Sequence, residues 1–147
     1  ERPTLGGMET WEISARESVR TTLAAYNFAG DRGDLAGLAA TFATDGSLQI
    51  GSEEPVVGRD AIVRRLNEAI ELDPVPRFVH HHVTGLHIRA ATPEEITAVA
   101  YFQVLTYAGL DHWGRYADRF VPIDGTWLFS HRKISADAFA PTSCFKR

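Results

Sequence analysis

The stretch GRYADRFVPIDGTWLFSHRKI, Gly114 to Ile134, sets two runs of β-branched and aromatic residues around one Asp-Gly step. Asp124–Gly125 is a strong two-residue hairpin signal, so the stretch predicts a strand over Arg115–Ile123 and a second beginning at Thr126. Working back toward the N-terminus, the same texture recurs. Phe78–Arg89 and Ile96–Tyr107 read as two more strands joined by the ATPEE turn, and AGLDHWG reads as a connection to the last pair. Trp127 belongs in a core.

Upstream of DPVPR, Asp73–Arg77, the period changes from two to nearly four. Ala15, Val19, Leu23 and Tyr26 recur at helical spacing, Trp11 extends the stripe backwards, and SARE, Ser14–Glu17, has the pattern of a capping box. GDRGD, Gly30–Asp34, breaks this helix. Asp34 caps a second helix whose face is Leu35, Leu38, Ala39 and Phe42. TDG closes it and SLQIGS follows as a short strand. A third helix starts near Arg59, with Ile62, Leu66, Ala69 and Ile70 inward. Helices first and long hairpin-joined strands afterwards define an α+β domain with helices on one face of a curved, mostly antiparallel sheet. Residues 1–9 are expected to be a lead-in, 10–140 a single domain, and 141–147 a tail.

The 147 residues suit one domain with a real core. A net charge of −4, with no Lys/Arg run, gives no electrostatic footprint for nucleic acid. No apolar run approaches the roughly 20 residues that span a bilayer. One cysteine, Cys144, allows no internal disulfide. A cytoplasmic protein is the expectation.

The segments YNFAGDRGDLAGLAATFATDGSLQI, GRDAI, HHHVTG and GRYADRFVPIDGTWLFSHRKI together resemble the SnoaL-like branch of the nuclear-transport-factor-2-like superfamily, over roughly Ala15 to Ile134. The resemblance implies a cone: a bent sheet wrapped around a long N-terminal helix, two shorter helices, and an apolar pocket inside. Homodimers through the outer sheet face are common in such proteins. Members include dehydratases, polyketide cyclases, ketosteroid isomerases, epoxide hydrolases and small subunits of ring-hydroxylating dioxygenases.

Laid over the scytalone dehydratase pattern, the helix tyrosine falls on Tyr26 and a strand histidine on His82. The position of the helix aspartate becomes Phe28, that of the second histidine Phe102, and a polar position on the next strand Tyr116. The resemblance therefore implies a lyase, isomerase or cyclase that needs no cofactor and acts on a compact hydrophobic molecule. His82 would be its base, with Tyr26, Tyr116 and Asp118 assisting. His80, Phe28, Phe102, Val104 and Trp113 would shape the binding site. A strand alternates its side chains, so His80 and His82 share a face and His81 takes the other. In this overlay His82 faces the cone, His80 its rim, and His81 the outside. Asp31 is the acid nearest the expected helix position, reachable only with a shifted helix end. Asp118 pairing with Arg132 is the simpler fate for that carboxylate. His-x-His also begins some metal sites, but no carboxylate follows before Glu94, so no metal is expected. The other reading is a non-catalytic domain that binds an apolar ligand or dimerises, or an accessory subunit of an oxygenase.

Overall fold

A computed structural model describes residues 7–72 and 78–145. The expected lead-in over 1–6, the DPVPR break and the last two tail residues lie outside the described residues. The chain runs α1 (Thr10–Asp31), α2 (Leu35–Ala40), β1 (Phe42–Ile50), β2 (Val56–Val57), α3 (Arg59–Leu72), β3 (Val79–Ala91), β4 (Ile96–Thr106), β5 (Gly109–Ile123) and β6 (Thr126–Phe139). The strands form one sheet in the order β2-β1-β6-β5-β4-β3. Every neighbouring pair is antiparallel except β1 with β6, which run parallel.

The α+β architecture follows the expectation, and several boundaries move. The capping box at Ser14 is not used: α1 begins a turn earlier at Thr10, with Trp11 reaching the core and bonding Glu9 through its indole N–H at 2.9 Å. Phe42, expected on the second helix, opens β1, and TDG lies inside that strand across a shift in register. GLDHWG is part of β5 rather than a connection, leaving Tyr107–Ala108 as the turn. Asp34 does cap α2, accepting the Gly37 amide at 2.8 Å. Asp124 (φ 49°) and Gly125 (φ 80°) make the expected hairpin turn, whose two positive-φ residues match the right-handed twist of the strands it joins.

The core forms where the α1 stripe meets the sheet. Ala15, Val19 and Tyr26 of α1 bury against Phe42, Leu48, Ile96, Phe120, Trp127 and Phe129. The start of β6 is tied to the helix by polar bonds as well. The Trp127 amide donates to Ser18 Oγ (2.9 Å), and Thr22 Oγ1 donates to the Trp127 carbonyl (2.6 Å). Serine and threonine four residues apart sit on one helix face, so one strand terminus meets both hydroxyls. Among the described residues no helix is long and apolar enough to cross a membrane.

Candidate functional site

The end of α1 decides the site. Gly33 takes φ +74°, its amide donates to the Gly30 carbonyl at 3.1 Å, and the Asp34 amide donates to the Ala29 carbonyl at 2.9 Å. This is a Schellman turn, and glycine enters it without the Cβ clash that other residues meet. Asp31 is thereby the last helical residue. Its carboxylate accepts the His81 backbone N–H at 3.2 Å to each oxygen, and His81 Nδ1 lies 2.5 Å from Asp31 Oδ1.

The register of β3 supplies the other half. Val79, His81 and Val83 pair with Thr106, Val104 and Phe102, which are buried. His80, His82 and Thr84 pair with Leu105, Gln103 and Tyr101 on the outer face. Directly paired residues share a face of the sheet, so His81 points inward and its two neighbours outward. The expected phase is reversed. The apolar Val79 and Val83 claim the core, and His81 is the histidine with their parity.

His81 stands between two cavities, and Asp31 beside it lines the outer one. The inner one, about 240 Å³, is bounded by Tyr26, Leu38, Leu66, Ile70, Ile134 and Phe145. The outer one, about 700 Å³, lies between α1 and β3. Asn27, Val79 and His81 line both. A carboxylate only accepts, so in the neutral imidazole the proton shared with Asp31 belongs on Nδ1 and Nε2 keeps its lone pair. No side chain or backbone group among the described residues hydrogen-bonds Nε2.

A second histidine comes from β5. His112 Nδ1 lies 2.8 Å from Asp111 Oδ1, and Asp111 also accepts the Ser143 hydroxyl and the Cys144 amide, each at 2.6 Å. These bonds hold Phe145 against the His112 ring, 5.2 Å between centroids, at the wall of the inner cavity. Burial lowers the His112 pKa, with the Asp111 charge opposing and His81 adding to the lowering.

Behind the cavity lies a guanidinium among aromatic rings. Arg132 is fully buried, and its Nε and Nη2 donate to the two oxygens of Asp118 at 2.8 and 2.7 Å. Its charge lies 3.8 Å from the Tyr116 ring centroid and 4.3 Å from those of Tyr26 and Phe129. Burial raises the pKa of Tyr26 and of Tyr116, with Arg132 opposing in both, so both phenols keep their protons at neutral pH.

The residues singled out from the sequence scatter. Tyr26 lines the inner cavity, and Tyr116 is buried behind it, its hydroxyl donating to Asn27 Oδ1 at 3.4 Å. Asp118 is committed to Arg132. Phe102 stacks on Tyr116 at 4.7 Å, and Val104 is fully buried opposite His81. Phe28 is 62% exposed and lines the outer cavity rather than the cone, because it sits three residues before Asp31 on the outward side of α1. His82 and His80 are exposed and line the outer cavity, His80 against Phe78 at 4.3 Å. Trp113 falls on the outer face, in line with Gln103 and His82. His81, Asn27, His112 and Phe145 fall outside the expected site residues, and Asp31 comes into reach through the helix end that Gly33 sets. The Val79/Val83 parity was the signal for His81.

A long helix against a bent mixed sheet, with a cavity closed by two further helices, is the cystatin-like or nuclear-transport-factor-2-like α+β fold. Residues 11–133 match the SnoaL-like domain family, and the chain belongs to it. A protein from Catenulispora acidiphila is 30% identical, covering 85% of this chain and 93% of that one, with a TM-score of 0.73. A structure from the same organism in complex with S-DNPA is 28% identical, covers 85% of this chain and 95% of that one, and has a TM-score of 0.70. A protein provisionally assigned as a scytalone dehydratase, from Novosphingobium aromaticivorans, shares the fold at 21% identity, covering 90% and 91% of the two chains, with a TM-score of 0.77. No curated protein sequence matches this chain.

Proposed function

We propose that this protein is a small enzyme of lyase, isomerase or cyclase type in which His81 is the general base and Asp31 orients it. The reading rests on one observation: His81 Nδ1 within 2.5 Å of Asp31 Oδ1 at the wall of an apolar cavity. Nε2 takes a proton from a carbon next to a carbonyl, and the Asp31 carboxylate stabilises the imidazolium that results. The Tyr26 phenol, kept protonated by burial, donates to the oxygen on which negative charge gathers. The inner cavity, at about 240 Å³, suits a compact hydrophobic molecule or the reacting end of a larger one. The relative holding S-DNPA supports small-molecule binding in this family.

The base can be tested without knowing the substrate. 5-Nitrobenzisoxazole opens on loss of one carbon-bound proton, and a positioned base in an apolar site accelerates that step. Wild-type protein should accelerate the opening, and His81→Ala should lose about a hundredfold to ten-thousandfold of that rate while keeping its fold. An active, folded His81→Ala protein defeats the proposal.

We also propose self-association through the outer sheet face, where Tyr101 and Leu110 are exposed in line with the sheet. Sedimentation equilibrium should give a dimer, and Tyr101→Asp combined with Leu110→Asp a monomer. An unaltered mass for the double variant would remove this face from consideration.

A further inference from the structure

The outer cavity has a chemistry unlike that of the inner one. It is larger, about 700 Å³ against about 240 Å³, and within the usual range for small-molecule sites. Among the described residues the inner cavity has no lysine or arginine at its wall. The outer one has two arginines, Arg20 on α1 and Arg32 at its C-cap, with the imidazoles of His80 and His82 on the facing strand. Neither makes an ion pair among the described residues; Arg20 donates only to the Arg16 carbonyl at 3.5 Å, and the Arg32 guanidinium lies 5.5 Å from the centroid of the Phe28 ring. Arg20 lies eleven residues before the end of α1 and Arg32 just beyond it, so they stand about 17 Å apart along the helix at 1.5 Å per residue. Phe28 and Phe78 supply apolar surface, and the one carboxylate among the described residues of the wall, Asp31, is already engaged by His81. On a chain of net charge −4, two exposed arginines without acidic partners beside exposed aromatic rings mark a local preference for anions.

We infer that the outer cavity binds an amphipathic small molecule carrying a carboxylate or similar oxyanion that pairs with Arg32 beside Phe28, with Arg20 farther along the wall adding to the attraction without sharing that contact, and with its apolar part on Phe28 and Phe78. Arginine suits such a group, since its planar fork donates two parallel hydrogen bonds to one oxyanion. Because Asn27, Val79 and His81 line both cavities, a molecule so held lies against the base and can extend its apolar end toward the inner cavity. This deepens the proposed function by giving its substrate class: an acid or acid ester with a reacting carbon at its apolar end. It rests on that reading only for the reaction, not for the binding.

Two fluorescent probes isolate the anion. 8-Anilinonaphthalene-1-sulfonate and N-phenyl-1-naphthylamine share one aromatic frame and differ by the sulfonate. Wild-type protein should bind the sulfonate about tenfold more tightly, as a charge-assisted contact implies. The preference should shrink as salt rises. Arg20→Gln combined with Arg32→Gln changes two exposed side chains, so its circular dichroism and melting point should match wild type. This variant should bind both probes alike, with the neutral probe unaffected. Equal binding of the two probes by wild type, or a preference kept by the double variant, overturns the inference. His81→Ala should keep the sulfonate preference, so a failure of His81 as base leaves this measurement standing. Loss of the preference in His81→Ala would place the anion on the histidine instead and equally overturn the inference.

Discussion

Asp31 accepts both the backbone amide and the ring Nδ1 of His81, joining the last turn of α1 to the inward face of β3. The carboxylate therefore fixes where the histidine sits and which ring nitrogen is free. Asp31→Asn keeps the shape and one acceptor for the amide but loses the charge that favours the imidazolium. The rate of 5-nitrobenzisoxazole opening should fall at least about tenfold, and less than it falls in His81→Ala. A rate equal to wild type would show that Asp31 plays no part beyond holding the strand.

Gly33 sets the end of the helix from which Asp31 projects. Nothing lies within 4 Å of a Cβ built there, so the cost of Gly33→Ala is that of the φ +74° backbone alone. The variant should lose about 1–2 kcal/mol in urea unfolding. Gly33→Asn should lose less, since asparagine tolerates that conformation better. Equal stability of all three proteins would mean the turn does not anchor α1.

Asp118 and Arg132 form a buried ion pair with both partners fully enclosed. Removing one leaves the other charge without compensation. Asp118→Ala should cost about 3–5 kcal/mol, whereas replacing both partners with leucine and methionine should recover much of it. Chemical denaturation of the three proteins decides this. The same experiment separates Asp118 from catalysis, since the double variant should still open 5-nitrobenzisoxazole if His81 is the base.

Acid should weaken the fold in two stages. Burial, opposed by Asp111, holds the His112 pKa below its ordinary 6.5, and burial does the same for His131. The unfolded chain then binds protons first, so stability is full above about pH 6.5 and falls as the pH drops below it. Asp111 gives a later stage. Burial alone would raise it, but hydrogen bonds from Ser143, the Cys144 amide and His112 outweigh that and bring it below 3.8. Its contribution is present above about pH 3.8 and lost as the pH falls through the folded value. Urea midpoints should decline between pH 7 and about pH 5. His112→Phe should remove part of that decline, with the rest left to His131. A flat profile would contradict the lowered pKa that partial burial gives both rings.

The sequence carried the fold better than the site, for physical reasons. Long-range order in this chain is written in repeated local signals: a helical stripe, an Asp cap, an Asp-Gly turn. Each is confirmed in place. The site depends on phase, and a one-residue slip in a strand exchanges its faces completely. The family overlay puts His82 inward, whereas the parity of the apolar Val79 and Val83 puts His81 there, as the register of β3 has it. Asp31 rather than Phe28 meets His81 for a related reason. Phe28 and Asp31 lie within one turn, and choosing between them requires knowing where α1 ends, which the Gly33 turn decides. Asp111 and Phe145 were beyond reach, because the tail finds them only through tertiary contact.

The most direct test of the account compares two neighbouring histidines. In 5-nitrobenzisoxazole opening, His82→Ala should retain the wild-type rate, and His81→Ala should lose about two orders of magnitude or more. Circular dichroism and melting should confirm that both proteins are folded. Loss of activity in His82→Ala with retention in His81→Ala would contradict the assignment of the base and the inward face of β3 as the catalytic one.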